Sequence, residues 1–353
     1  MKVTKIEKHG FEKGLNKIRK DFTLFAPVDC GEYHEFKEIE NGEKPDLEAV
    51  NTHLSPKSAI YPQSQPMFNY TLDENEPDHH IMKEVKPDLS PRAIFGIRPC
   101  DAKSFLIVRR NFDTEEYKDP YWIEPYEAAT FVGMACSAPC STCFCTTAGC
   151  GPFNEEGLDL LLIDAETCYY AKAITDKGEK LLESAGWLTW VDEPSIDKEI
   201  EDLKTAAENR IESKVSTDRL ADIETNDLYN ASIWEDVSFA CINCGTCTYV
   251  CPTCWCFDIQ DENCGSCGIR MRNWDSCMFP LFTKHGTGHN PRETKIHRVR
   301  QRFMHKLKYY VDKYDAGIQC VGCGRCIRSC PVNIDIRNIC ELMNNHKQEA
   351  CAS

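Results

Sequence analysis

Two domains of different construction are predicted: an α/β domain over residues 1–225 and a cysteine-rich α+β domain over residues 226–353. Three observations lead there. Before residue 225, short apolar runs alternate with helical periodicity, the pattern of strands and helices layered on one another. After it lie fifteen of the chain's 23 cysteines. Eight of those fifteen fall in two near-copies of a single motif. A chain of 353 residues is long enough for about two cores that need no covalent staples. The opening "MKVTKIEKHGFEKGLNKIRKDF" has neither the apolar stretch nor the small-residue cleavage site of a secretion signal. A reducing cytoplasm is therefore the expected address, where dense CxxC spacing reads as metal or redox chemistry and not as disulfides. No apolar run approaches the ~18 residues of a membrane helix, so a soluble protein without membrane insertion is expected. A net charge of -15 disfavours nucleic acid and anionic lipid, both of which require a positive surface.

The elements follow in order. "AIFGI" at residues 93–97 reads as a strand, and "RPCD" then turns into the helix "AKSFLIVRRNF", which Asp101 is placed to cap. "TFVGMA" at residues 130–135 reads as a second strand. The dense run "CSAPCSTCFCTTAGC" hangs from its C-terminal end, where α/β sheets place their sites. "LDLLLI" and "CYYAKAI" read as further strands, and the helix through "DKGEKLLESAG" should stop at Gly186. An acidic amphipathic helix with Ile200, Leu203, Ala207 and Ile211 on one face leads to the second domain.

In that second domain "CINCGTCTYVCP" supplies Cys241, Cys244, Cys247 and Cys251, and "CVGCGRCIRSCP" supplies Cys320, Cys323, Cys326 and Cys330. CxxCxxCxxxCP is the bacterial ferredoxin signature, in which three closely spaced thiolates grip one cubane and the fourth cysteine ligates the other. A ferredoxin-like dicluster domain is therefore expected. One 4Fe-4S cluster would sit on Cys241, Cys244, Cys247 and Cys330, and the second on Cys320, Cys323, Cys326 and Cys251. Zinc also accepts four thiolates, but its motifs pair two CxxC units across a spacer. Between the copies a long insertion carries "WDSC", "GHNPR" and the basic run "HRVRQRFMHKLKYY".

Clusters with four protein ligands leave no iron open, so the expected role is conduction of single electrons and not catalysis. No GxGxxG follows a strand, so a flavoprotein beside the chain would have to hold any NAD or FAD. Adjacent cysteines are absent, against the twin-cysteine motif of heterodisulfide reductase catalytic subunits, and the ten histidines form no arrangement around a cysteine nucleophile. Cys136, Cys140 and Cys143 have the CxxxCxxC spacing of radical S-adenosylmethionine enzymes, yet too little chain remains before residue 226 for their barrel. A third cluster is expected instead, on some four of Cys100, Cys136, Cys140, Cys143 and Cys145. As neighbouring strands, residues 93–97 and 130–135 would bring Cys100 toward the dense run. The competing reading is that these thiols are unligated small hydrophobes.

"SPKSAIYPQSQPMFNYT", "GIRPCDAKSFLIVRRNF", "CSAPCSTCFCTTAGCGP", "CINCGTCTYVCPTCWCFD", "WDSC", "GHNPRETKIHRVRQRFMHKLKYY" and "CVGCGRCIRSCPVNIDIR" come in this order. Together they resemble the beta subunit of cytoplasmic sulfhydrogenases (NiFe hydrogenases) and the corresponding iron-sulfur subunit of anaerobic sulfite reductase, one family of dicluster iron-sulfur proteins, over nearly the whole length. The resemblance implies an electron-transfer subunit of a cytoplasmic anaerobic oxidoreductase complex. Such a chain relays electrons between two partners, a flavoprotein subunit on one side and a hydrogenase or sulfite-reductase catalytic subunit on the other. The alternatives are a relay in a heterodisulfide-reductase-like complex and a stand-alone reductase with a catalytic N-terminal iron-sulfur site. The resemblance also implies Cys100, Cys136, Cys143 and Cys145 as the third ligand set, with Cys140 in reserve. Cys254, Cys256 and Cys277 match family positions, as a further site or as packing beside the cubanes. Cys140, Cys150 and the "CGSC" of Cys264 and Cys267 depart from the family pattern. Asp101 reads as a helix cap before an iron ligand. The stretch from His297 to Lys308 reads as a solvated helix face before a docking surface for an acidic partner.

Overall fold

The computed structural model describes residues 3–40, 42–191 and 193–346; Cys351 lies outside them. Among these residues the chain forms the strands β1 (Val3–Glu7), β2 (Thr23–Asp29), β3 (His34–Glu38), β4 (Ser64–Thr71), β5 (Lys83–Glu84), β6 (Arg92–Ile97), β7 (Ala129–Met134), β8 (Leu160–Ala165), β9 (Cys168–Ala173), β10 (Trp190–Val191), β11 (Phe257–Cys264) and β12 (Cys267–Trp274). The larger sheet has the order β10-β1-β9-β8-β7-β6-β2-β3. Its centre, β2, β6, β7 and β8, is parallel, and its flanks are antiparallel.

Five helices belong to the same part of the chain: α1 (Lys8–Ile18), α2 (Pro99–Phe112), α3 (Pro120–Ala128), α4 (Asp176–Ala185) and α5 (Pro194–Asn209). Phe11 and Leu15 of α1, with Leu181 of α4, pack on Phe95, Val132 and Leu162 from one face. Phe105 of α2, Trp122 of α3 and Ile200 of α5 share the opposite core with Ile94, Phe131 and Leu161. Successive strand residues thus point into different cores. A sheet covered on both faces needs apolar residues at every position, which is why these strands read as unbroken apolar runs. The α4 helix stops where predicted: Gly186 takes φ 70, and the amides of Gly186 and Trp187 return to Glu183 O and Leu182 O.

Residues 93–97 and 130–135 are neighbouring parallel strands, as expected, so their C-terminal ends lie side by side. Arg98, buried at that edge, fastens them. Its guanidinium donates to Met134 O at the end of β7, to Ala135 O just past it, and to Leu47 O and Ala49 O of an incoming loop.

The smaller sheet, β11-β12-β4-β5, joins the halves of the chain, because β12 pairs antiparallel with β4 along most of its length. The division at residue 225 therefore separates two textures of sequence but runs through a shared sheet. Beyond it, short helices gather around Trp234, Val299, Phe303, Leu307, Ile339 and Met343. The helix Lys295–Met304 passes through a π-helical turn, His305–Tyr309, into Tyr310–Tyr314. Among the described residues no helix is long and apolar enough to cross a membrane.

Candidate metal centres

The two copies of the cysteine motif fold alike. Between their first two cysteines each has a left-handed residue, Asn243 (φ 56) and Gly322 (φ 65), and a second follows at Gly245 (φ 76) and Gly324 (φ 71). These reversals turn backbone amides toward sulfur: Asn243 N donates to Cys241 Sγ at 3.4 Å and Gly322 N to Cys320 Sγ at 3.5 Å. Ile334 N donates to Cys330 Sγ at 3.2 Å. Amides aimed at sulfur favour a bound thiolate and tune the potential of a cluster it holds. The short helices Thr246–Tyr249 and Arg325–Arg328 then carry Cys247 and Cys326 inward.

Three hollows result, each ringed by one of the expected sets of four. Cys241, Cys244, Cys247 and Cys330 line the first, which Cys326 also touches. Cys251, Cys320, Cys323 and Cys326 line the second. The third, at the C-terminal edge of β6 and β7, is lined by Cys100, Cys136, Cys143 and Cys145, with Cys323 on its far wall. Cys140 is not part of that lining; its thiol lies against Cys143. Of the triad Cys136, Cys140 and Cys143, only Cys136 and Cys143 line the hollow. Cys100 reaches the hollow because it stands at the first turn of α2, directly after β6.

The donor chemistry is uniform. No carboxylate or imidazole lines any of the three hollows, and thiolate-only sites select soft metals. A zinc ion draws its sulfurs to within ~2.3 Å of a point. Among the described residues no three His, Cys, Asp or Glu side chains close in the way a single ion needs. Four thiols spread around a void fit a body several ångströms across, as a cluster is.

Buried cations face these sulfurs. Burial pushes two of these thiols up, Cys145 to about 12 and Cys323 to about 11, so a bare thiolate is disfavoured at those two positions. Arg302 lines both the first and the second hollow, and its Nε has no hydrogen-bond partner. Burial opposes its charge, but Cys247, Cys326, Cys254 and Cys251 outweigh burial and hold the guanidinium protonated. Lys306, on the second hollow, donates to Thr253 Oγ1 at 2.8 Å, and neighbouring cysteines likewise outweigh its burial. Lys57 is brought down to about 8 by burial; its Nζ donates to Cys251 O and Cys254 O at 3.1 Å and lies 4.0 Å from the Trp274 ring centre.

Two expectations are corrected here. The run from His297 to Lys308 is not a solvated face: Arg298, Arg302, Lys306 and Lys308 are all buried. Arg298, Arg302 and Lys306 repeat at every fourth position, one residue behind Val299, Phe303 and Leu307, so the stripe of cations enters the core with the apolar stripe. Asp101 is neither cap nor iron ligand. It is fully buried, and both its oxygens accept from Arg325, at 2.5 and 2.7 Å, across to the second cysteine motif.

The hollows stand in a row with the second in the middle. Arg302 and Cys326 are common to the first and second, Cys323 to the second and third. The junction of the second and third is tight: Phe144 N donates to Gly322 O at 2.9 Å, and Asn51 Nδ2 to Cys323 O at 2.8 Å. The remaining described cysteines line none of the three hollows. The Cys254 thiol lies against Cys251 and the Cys256 thiol against Cys277. Cys150 contacts Gly151 O, Cys340 is core, and Cys264 and Cys267 are exposed.

Residues 240–334 match a protein family described as a 4Fe-4S dicluster domain. The chain is 28% identical over 343 residues to sulfhydrogenase 2 subunit beta of Pyrococcus furiosus, covering 95% of this chain and 96% of that one. No solved structure matches the chain. A 4Fe-4S dicluster domain is thus present where the repeated motif places it, and the resemblance to a sulfhydrogenase beta subunit, drawn from the order of the motifs, is borne out.

Proposed function

We propose that this chain is a non-catalytic subunit of an oxidoreductase complex. It relays electrons through three 4Fe-4S clusters between a catalytic subunit of hydrogenase or sulfite-reductase type and a flavoprotein subunit. The observation that carries the reading is the row of three cysteine-ringed hollows with common walls. Cys241, Cys244, Cys247 and Cys330 would hold the first cluster, Cys251, Cys320, Cys323 and Cys326 the second, and Cys100, Cys136, Cys143 and Cys145 the third. Such clusters supply one-electron transfer when bound. The protein supplies the rest: amides and buried cations that offset added negative charge, and apolar walls such as Met278, Phe303 and Phe144 that keep water away.

The row ends near two surfaces, as a relay between two partners requires. At one end Cys244 is exposed, beside Ile242, which is 63% exposed on the rim of the first hollow. At the other, Cys100 and Cys136 are half-buried at the sheet edge. A hydrogenase-type partner rests on likeness to a sulfhydrogenase subunit, and a flavoprotein on the lack of a dinucleotide fingerprint in the sequence. The iron-loaded chain alone is expected not to turn over hydrogen, sulfite or NAD(P)H, and to gain turnover only with the subunits that copurify with it anaerobically. Robust turnover by the chain alone would favour the stand-alone reductase.

Arg302 gives a sharper test. An electron added to either neighbouring cluster is stabilised by a buried positive charge in a low-dielectric wall. Arg302→Met keeps much of the volume and removes that charge. Potentiometric titration followed by electron paramagnetic resonance is expected to show the first two centres moving to lower potential, with the third nearly unmoved. A shift confined to the third would contradict the placement.

A further inference from the structure

Cys264 and Cys267 stand apart from the row, at the tip of the hairpin β11–β12. They are opposite residues of an antiparallel ladder, joined by the two-residue turn Gly265–Ser266, with Gly265 at φ 63. A tight hairpin turn takes a left-handed residue at that first central position. The tip is held in register from its other side. Leu72 N donates to Ser266 O at 2.7 Å. A Cβ on Gly268 would lie 2.2 Å from the Tyr70 ring, so the glycine makes the space in which Tyr70 Oη reaches Asn263 Oδ1 at 2.5 Å.

Opposite residues of such a ladder have Cα atoms about 4.5–5.5 Å apart, inside the range of about 4.4–6.8 Å over which a disulfide closes. Both thiols are exposed and free, and β11 is exposed along nearly its whole length. Eight residues per arm, at ~3.4 Å each, put the tip roughly 25 Å from the hairpin base beside Cys256 and Cys277. The pair is thus accessible, fixed in register, and remote from the hollows.

We propose that Cys264 and Cys267 form a thiol–disulfide exchange centre whose substrates are accessible disulfides. The thiolate of one attacks a substrate sulfur, forming a mixed disulfide and releasing the first substrate sulfur as a thiolate. The thiolate of the other then attacks its partner's sulfur in that mixed disulfide and expels the second. The two cysteines are left joined. Two electrons have passed to the substrate, now two thiols, which take up the two protons the cysteines lost. Sitting on a projecting arm, the pair meets sulfur without a pocket around it, so the disulfide itself and not its scaffold defines the substrate.

The full-length, iron-loaded chain, reduced and freed of reductant, is incubated anaerobically with glutathione disulfide and, in a second arm, with insulin. Acid quenching, alkylation and peptide mass spectrometry then read each cysteine. Cys264 and Cys267 are expected to become linked to each other about tenfold faster than the exposed lone Cys30 is modified, with two reduced glutathiones released per pair. Cys267→Ser is expected to stop at a mixed disulfide on Cys264. Reaction with glutathione disulfide assigns small disulfides as substrates; reaction with insulin only assigns protein disulfides. A pair that stays alkylatable in both arms overturns the proposal, and so does wild-type protein that carries one glutathione on each cysteine. Iron content, measured in the same samples, is expected not to change, so failure here leaves the relay untouched.

Discussion

Arg325→Met is expected to destabilise the folded chain by about 3–5 kcal/mol, because it leaves a buried carboxylate without its counter-charge. Asp101 is 0% and Arg325 1% exposed, and the guanidinium also donates to Thr52 O at 2.9 Å. The pair ties α2 of the large sheet to the second cysteine motif, so its loss should also loosen the wall between the second and third hollows. Anaerobic urea denaturation of the iron-loaded protein gives the number. Since a buried ion pair is worth little more than apolar residues of the same size, Asp101→Leu with Arg325→Met is expected to recover most of the loss. A double variant as unstable as the single would show that the interaction is not pairwise.

Gly322→Ala is expected to cost about 2–5 kcal/mol, the sum of placing a side chain in the left-handed region and of overpacking a closed contact. The added carbon would lie 2.5 Å from Phe144 C and Cys145 N, which are backbone and cannot swing aside. Iron should be lost from the second and third centres before the first. The matching position in the other copy already holds a side chain, Asn243, at φ 56, so Asn243→Ala is expected to cost far less. Equal costs at the two positions would mean that the approach of Gly322 to the N-terminal cysteine loop is not what matters.

Local signals carried most of what was legible in the sequence. The strands at residues 93–97 and 130–135, their adjacency, and the stop at Gly186 follow from apolar runs and a cap residue. The two ferredoxin-type groupings of four cysteines follow from spacing, whereas the third follows from resemblance, spacing having narrowed it only to some four of five cysteines. What escaped were partners far apart in the chain. Asp101 sits where a first-turn cap would, and the arginine that claims it is 224 residues on. The pairing of β4 with β12 leaves no mark on either strand, since both are of ordinary composition. The buried cation stripe was in view: a basic residue at every fourth position, locked in phase with an apolar stripe, marks an inward face and not a solvated one.

Because β12 completes the sheet that β4 begins, the measurement that tests the relay most directly is made on the full chain and not on an N-terminal piece. It is the iron content after anaerobic reconstitution, for the wild type and for Cys136→Ser. Three 4Fe-4S centres give about twelve irons per chain, falling to about eight in the variant. About eight irons in both would contradict the third centre and with it the three-cluster row.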